Sequence, residues 1–292
     1  MRNKNLIGTG VALITPFNDD FSIDFLSLEK LIEHMIENSV NYLVVMGTTA
    51  ESPTLSSEEQ IDILNFVKKI VNNRVPIVFG MGSNNTNKLL KRIKNFDFDG
   101  IEAILSVCPY YNKPNQTGLY SHFDIIAKNC PVDIILYNVP SRTSSNLEYN
   151  TVKDLSNKHR NIIGIKEASG DIGFAMDLIL NCSKDFMIIS GDDKLTYPMI
   201  VLGGSGVISV QAMAFPNLFV KMVDCSLSSN LKSARSYHYE LLKSVDLLYV
   251  DGNPAGIKEA LFFKNICRTN QLRLPLTKMK KENALLLHKF LK

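Results

Sequence analysis

Eight short runs rich in β-branched residues alternate along this chain with longer amphipathic segments, and that alternation limits its fold more than any other feature. In order they are "GVALITPF" from Gly10, "YLVVMGTT" from Tyr42, "VPIVFGMG" from Val75, "AILSVCPY" from Ala103, "DIILYNVP" from Asp133, "IIGIKEAS" from Ile162, "FMIISGDD" from Phe186 and "GVISVQA" from Gly206. Stretches such as "FLSLEKLIEHMIEN" and "SSEEQIDILNFVKKIVNN" lie between them, the second opening with Ser56 and Ser57 as cap candidates and acids in its first turn. Eight strands at a spacing of roughly thirty residues within about 250 predict an α/β protein of the closed (β/α)8 TIM-barrel type. A doubly wound open sheet is the runner-up, but the glycine fingerprint it needs after the first strand is missing. From about Ser229 the pattern turns to helices alone, with "DGNP" and "RLPLT" as breaks. The expected division is a catalytic barrel over 1–228 and a C-terminal helical extension over 229–292.

Composition narrows the function classes. Hydrophobic residues make up 45% and charged residues 21%, enough for a sizeable core and too balanced for a disordered chain. The net charge of +3 comes from scattered lysines without a basic block, so nucleic acid is not an expected partner. Five unevenly spaced cysteines, with no CxxC pair or nearby histidines, argue against a zinc site and for a reducing, cytoplasmic location. The opening "MRNKNLIGTGVALITPFNDD" is broken by Gly8, Gly10 and Pro16 and followed by Asp19 and Asp20, which reads as a first strand and not a signal peptide. No apolar run approaches the roughly eighteen residues of a membrane helix.

In such a barrel the reacting groups sit at the C-terminal ends of the strands. Those ends carry Thr48 and Thr49, Tyr110 and Tyr111, Tyr137 followed by Arg142, Lys166, then Gly191, Asp192 and Asp193, and Ile208. Lys166 follows Ile162, Ile163, Gly164 and Ile165, where an ammonium ion has little to gain. A lysine so placed loses its proton, finds a partner or extends to water. The first outcome makes a nucleophile that forms a Schiff base with a ketone, an electron sink for enamine chemistry. Tyr137, Tyr111 and Thr48 are suited to move protons beside it, and the turn "GTTAES" offers amides and hydroxyls to a carboxylate. The structural alternatives are an outward-extended lysine, an ion pair with Glu167, a core tyrosine and an ordinary strand end. "LGGSG" reads either as a tight turn or as a phosphate loop.

The motifs "GVALITPF", "GTTAES", "PYYNKPNQTGLY", "YNVPSRT", "IKEASGD", "SGDD", "GGSGVISV" and "LRLPLT", in this order, resemble the 4-hydroxy-tetrahydrodipicolinate synthase family of pyruvate-dependent aldolase-like barrels from the first strand to the last helices. The resemblance implies that Lys166 forms the Schiff base with pyruvate and that Tyr137 transfers protons beside it. It implies that Thr48 links Tyr137 to Tyr111, which reaches into a neighbouring subunit's site. Thr49 would hold the pyruvate carboxylate, Arg142 the carboxylate of L-aspartate 4-semialdehyde, and Gly191 and Ile208 would line the pocket with backbone carbonyls. No metal or organic cofactor is implied, and the expected unit is a homo-oligomer, dimer or tetramer, outside the membrane.

The departures from the family pattern are Ala50, where glycine is usual, and Gln211, Ala212 and Met213, where Thr-Ala-Asn is usual. They bear on loop geometry, and a methyl costs about 1 kcal/mol if Ala50 needs a positive φ. Many relatives bind lysine as an inhibitor through an interface glutamate, whose position here is Lys88, with Ser57 and Gln60 where histidines are common. Weak or absent inhibition by lysine is therefore expected. Arg142 and Tyr111 favour the synthase over a N-acetylneuraminate lyase or keto-deoxy sugar acid aldolase, whose polyol substrates call for neutral groups. A phosphosugar-binding barrel and a barrel that binds without turnover are the readings from other classes.

Overall fold

Parallel strands covered on both faces need apolar side chains pointing both ways, and the eight runs supply them. In the computed structural model, which describes residues 4–292, the strands are β1 (Gly8–Ala12), β2 (Tyr42–Val45), β3 (Ile77–Gly80), β4 (Ala103–Val107), β5 (Asp133–Asn138), β6 (Ile162–Glu167), β7 (Met187–Ser190) and β8 (Gly206–Ser209). Each pairs in parallel with the next, and β8 pairs back with β1 to close the barrel. The strand expected near the start of the chain is β1; residues 1–3, which precede it in that stretch, lie outside the described residues.

Closure brings backbones close together. Gly206 has φ +142, and a Cβ there would lie 2.1 Å from the carbonyl oxygen of Gly8, so only glycine fits this seam. The barrel floor is filled by Tyr42, fully buried, whose ring occupies the space that a side chain at Gly10 would take. Its hydroxyl donates to the Val207 carbonyl at 3.2 Å, and burial holds its pKa well above the usual phenol range.

Helices α1 (Phe25–Glu37), α2 (Ser57–Val71), α3 (Thr86–Asn95), α4 (Gln116–Asn129), the short α5 (Pro140–Thr143), α6 (Tyr149–Lys158), α7 (Ile172–Asn181), α8 (Thr196–Val201) and α9 (Pro216–Leu227) follow the strands around the barrel. Of the two cap candidates for α2, Ser56 is the cap: its hydroxyl accepts from the Glu59 amide while the Glu59 carboxylate accepts from the Ser56 amide. Three helices follow the ring, α10 (Leu231–Tyr249), α11 (Ala255–Phe263) and α12 (Lys281–Leu291), with α10 packed on α9.

The segment after α11 returns to the face where α1 and α2 begin, which is the face of the strand C-terminal ends. Arg268 donates to both carboxylate oxygens of Asp24, the α1 cap, at 2.9 and 2.8 Å. Arg273 forks onto Glu59 at 2.8 and 2.6 Å. Deeper still, Lys258 of α11 pairs with Glu51 at 2.5 Å, with side-chain exposures of 2% and 0%. Lys258 also donates to the Gln271 carbonyl at 2.8 Å, and the second Glu51 oxygen accepts from the Arg273 amide at 3.0 Å. Burial pushes the Lys258 pKa down against the opposing attraction of Glu51.

Taking one partner from a buried ion pair leaves the other charge uncompensated. Lys258→Met should lower the unfolding free energy by about 3–5 kcal/mol, measured by urea titration at pH 7, and adding Glu51→Leu should restore much of that loss. A loss in the single variant below about 1 kcal/mol, the scale of an exposed pair, would show that the pair does not hold the extension.

Candidate active site

Side chains alternate across a strand, so the register between β5 and β6 decides which groups meet. Tyr137 stands opposite Lys166, and Asn138 opposite Glu167. The first pair faces the barrel interior, where the Lys166 Nζ lies 4.5 Å from the centroid of the Tyr137 ring. Both residues are buried, at 6% and 7% exposure. The second pair faces outward: Asn138 donates to Glu167 at 2.8 Å, and the other Glu167 oxygen accepts from the Ser169 amide. Burial raises the Glu167 pKa against these hydrogen bonds. Lys166 therefore has no ion pair with Glu167, and among the described residues no carboxylate lies within ion-pair distance of its nitrogen. Nor does it extend outward to water.

Gly191 makes room for the lysine. A Cβ at this position would come within 2.9 Å of the Lys166 Cε and 2.6 Å of the Ala168 Cβ. Its amide donates to the Glu167 carbonyl at 2.7 Å, which fixes the end of β7 against β6. Ile208 is buried on β8, level with Gly10.

The "GTTAES" turn folds as a 3-10 turn over Thr48–Ala50, and its Ser52 opens a second over Ser52–Thr54. Among the described residues, the amides of Thr48 and Thr49 have no hydrogen-bond partner and are free to meet an anion. The left-handed residue of the turn is Glu51, at φ 55, and not Ala50, so the extra methyl of Ala50 sits in ordinary backbone and carries no such strain. Thr49 is buried, and its Oγ1 accepts from Asn253 Nδ2 at 2.9 Å.

Two expected groups stand apart. Tyr111 is 89% exposed with φ 75, an uncommon conformation for so large a residue, and Tyr110 is half-exposed beside it. Among the described residues no hydrogen bond joins Thr48 or Tyr111 to the Tyr137 hydroxyl, so one chain alone does not assemble the relay. Arg142 lies on α5, exposed and without a partner for its guanidinium among the described residues. Its loop is nevertheless anchored, because Ser145 Oγ donates to the Pro109 carbonyl at 2.6 Å and Asn138 Oδ1 accepts from the Leu147 amide at 3.0 Å.

"LGGSG" resolves as a turn. It precedes β8 and therefore lies at the N-terminal ends of the strands, opposite the lysine. Its amides are already committed, Gly203 to the Ile200 carbonyl, Gly204 to Met199 and Ser205 to Ile188. A phosphate loop at this site is thereby removed as a competing reading.

Asp193 and Gln211, both noted in the sequence, take structural places beside the pocket. Asp193, fully enclosed, accepts from Ser209 Oγ at 2.6 Å, the Gln211 amide at 2.9 Å and the Tyr249 hydroxyl at 2.9 Å, and burial raises its pKa. The departure at Gln211 has a structural use: its Nε2 donates to the Leu241 carbonyl at 2.7 Å and to Ser244 Oγ at 2.6 Å, tying the end of β8 to α10. Met213 is buried in the core. Asn253 was legible only as part of the "DGNP" helix break. Among the described residues no group of three metal-ligating side chains converges, and no helix is long and apolar enough to cross a membrane.

Gly191→Ala should displace the Lys166 amine while leaving the fold intact. Borohydride trapping of a small α-keto acid at Lys166 should slow by about 100-fold, the usual scale for a misplaced reacting group. Unchanged trapping in a folded variant would mean that the pocket relaxes around the methyl.

The comparisons with known proteins agree with one another. A model of the dihydrodipicolinate synthetase family matches residues 5–292. The chain is 48% identical over 277 residues to the 4-hydroxy-tetrahydrodipicolinate synthase of Flavobacterium psychrophilum, covering 94% of each chain. It is 48% identical over 276 residues to that of Karelsulcia muelleri, covering 94% of this chain and 93% of the relative. Its fold matches the crystal structure of dihydrodipicolinate synthase from Aquifex aeolicus with a TM-score of 0.94 at 35% identity, covering 98% and 97% of the two chains.

Proposed function

The chain belongs to the dihydrodipicolinate synthetase family, and from that membership we propose how its own residues perform the family's reaction. The enzyme is a lyase that condenses pyruvate with L-aspartate 4-semialdehyde to give 4-hydroxy-tetrahydrodipicolinate, in lysine and diaminopimelate biosynthesis. One observation carries the assignment of roles: Lys166 is buried in the barrel, its nitrogen 4.5 Å from the centroid of the Tyr137 ring, with no carboxylate within ion-pair distance among the described residues.

In this reading the Lys166 amine attacks the pyruvate ketone, and loss of water gives an iminium. Removal of a methyl proton then yields an enamine, whose carbon attacks the aldehyde of the second substrate; the amino group of that substrate then attacks the reformed iminium carbon, closing the ring and expelling the Lys166 amine. Tyr137 would pass those protons, through Thr48 and a Tyr111 supplied by a neighbouring copy. The high exposure of Tyr111 is what a group serving a second subunit would show alone, and it supports a homo-oligomer, dimer or tetramer; the location proposed for it is the cytoplasm, on the uneven, unpaired cysteines. Thr49 and the free amides of its turn would receive the pyruvate carboxylate. The backbone carbonyls of Gly191 and Ile208 would line the pocket, and the unpaired guanidinium of Arg142 would take the carboxylate of aspartate semialdehyde at the mouth.

Pyruvate with borohydride should add one pyruvyl unit at Lys166, read by peptide mass, and Lys166→Arg should add none because guanidinium stays protonated. Label at another lysine would remove the central assignment. Arg142→Ala should lower kcat/KM for aspartate semialdehyde by about 10- to 100-fold while trapping of pyruvate stays within about twofold. Equal losses in both would make Arg142 structural. Mixing an inactive Lys166 variant with an inactive Tyr111 variant should restore part of the activity, and none would return if the tyrosine served its own chain.

Lysine should be a poor inhibitor. Lys88 is exposed on α3, and the Gln60 amide is already engaged, donating to the carbonyls of Ser52 and Leu55 at 3.0 and 3.3 Å while accepting from Arg92. Cations thus stand where an ammonium-binding acid would be needed, a reversal worth about a few kcal/mol. A coupled assay at subsaturating pyruvate should place half-inhibition above about 1 mM lysine, and a submillimolar value would overturn this expectation.

A further inference from the structure

A hydroxyl group can both donate and accept, and what its neighbour does decides which role is left for a ligand. Asn253 comes from the loop between α10 and α11, 204 residues along the chain from Thr49, and its amide nitrogen donates to Thr49 Oγ1 at 2.9 Å. That bond uses the acceptor side of the hydroxyl. The Thr49 proton is then free to turn toward whatever occupies the pocket. The Oδ1 atom of the same amide is buried and has no partner among the described residues, so the contact with Thr49 is the only side-chain hydrogen bond this amide makes among them. The loop itself is braced by its neighbours, with Lys258 of α11 paired to Glu51 two residues after Thr49.

We propose that Asn253 is a positioning residue for the pyruvate carboxylate: by donating to Thr49 it occupies one acceptor site of that hydroxyl and leaves its proton for the ligand, and so favours an anionic keto acid over an uncharged ketone. The inference rests on the reading of Thr49 as the carboxylate-binding residue. The C-terminal extension then has a part in substrate choice as well as in stability. An aspartate at the same position would accept the Thr49 proton instead and set a negative charge near the carboxylate, reversing both effects at nearly constant shape.

The test measures half-saturation for borohydride trapping at Lys166 with pyruvate and with methyl pyruvate, its uncharged ester. Asn253→Ala should raise the pyruvate value by at least about tenfold and Asn253→Asp by more, each leaving methyl pyruvate within about twofold and the thermal midpoint near that of the parent. In a Thr49→Val background Asn253→Ala should cost nothing further, because the group it acts through is gone. Equal losses for the acid and the ester, or an undiminished loss in the Thr49→Val background, would assign Asn253 to packing and overturn the proposal. If Thr49→Val alone leaves pyruvate untouched, the reading of the turn fails and this inference falls with it. If Thr49→Val weakens pyruvate while both Asn253 variants do not, the inference alone is wrong.

Discussion

The register of β5 against β6, held within a closed ring, is the constraint on which the site depends. A barrel has an inside and an outside, and beyond the register shift between Ile134 and Ile135 each residue of this pair belongs to one or the other by parity. Tyr137 and Lys166 share the inside, while Asn138 and Glu167, one residue on, share the outside. The outer pair is itself a hydrogen-bonded clamp, and Asn138 also holds Asn146 at 2.9 Å, so the loop that carries Arg142 is anchored from the back of the strand that carries Tyr137. A slip of one residue would exchange the pairs and put a carboxylate where the amine now lies.

Parity is also why so much was legible in the amino-acid order. The eight runs became the eight strands because a parallel barrel strand is apolar on both faces, and Lys166 stood out because it breaks such a run. The choice between an ion pair with Glu167 and an unpaired amine was not legible, since it turns on which face each residue takes. "LGGSG" was ambiguous for a related reason: glycine at Gly206 serves barrel closure against Gly8, and only the topology shows that this loop lies at the far end from the lysine. The left-handed backbone at Glu51 was hidden because nothing local demands it; a buried partner, Lys258, arriving from α11 over-determines the geometry. Contacts of this length in sequence, Asn253 with Thr49 above all, leave no periodic trace.

The same long-range contacts govern the charge at the mouth of the barrel. Three cations of the extension lie along the rim near β1 and β2, and each meets its own carboxylate: Arg268 with Asp24, Arg273 with Glu59 and Lys258 with Glu51. Their fields are largely cancelled locally, which lets a basic segment cross the face of the site without dominating it. Arg142, on the opposite side of the ring in chain order, has no such partner among the described residues. Its guanidinium sits unpaired on an anchored loop, and a cleft edge with one sign of charge concentrates ligands of the other. On the role proposed for Arg142, the neutralised rim would matter as much as the free arginine, because a substrate bearing two charged ends would be oriented by the difference between the two sides of the opening.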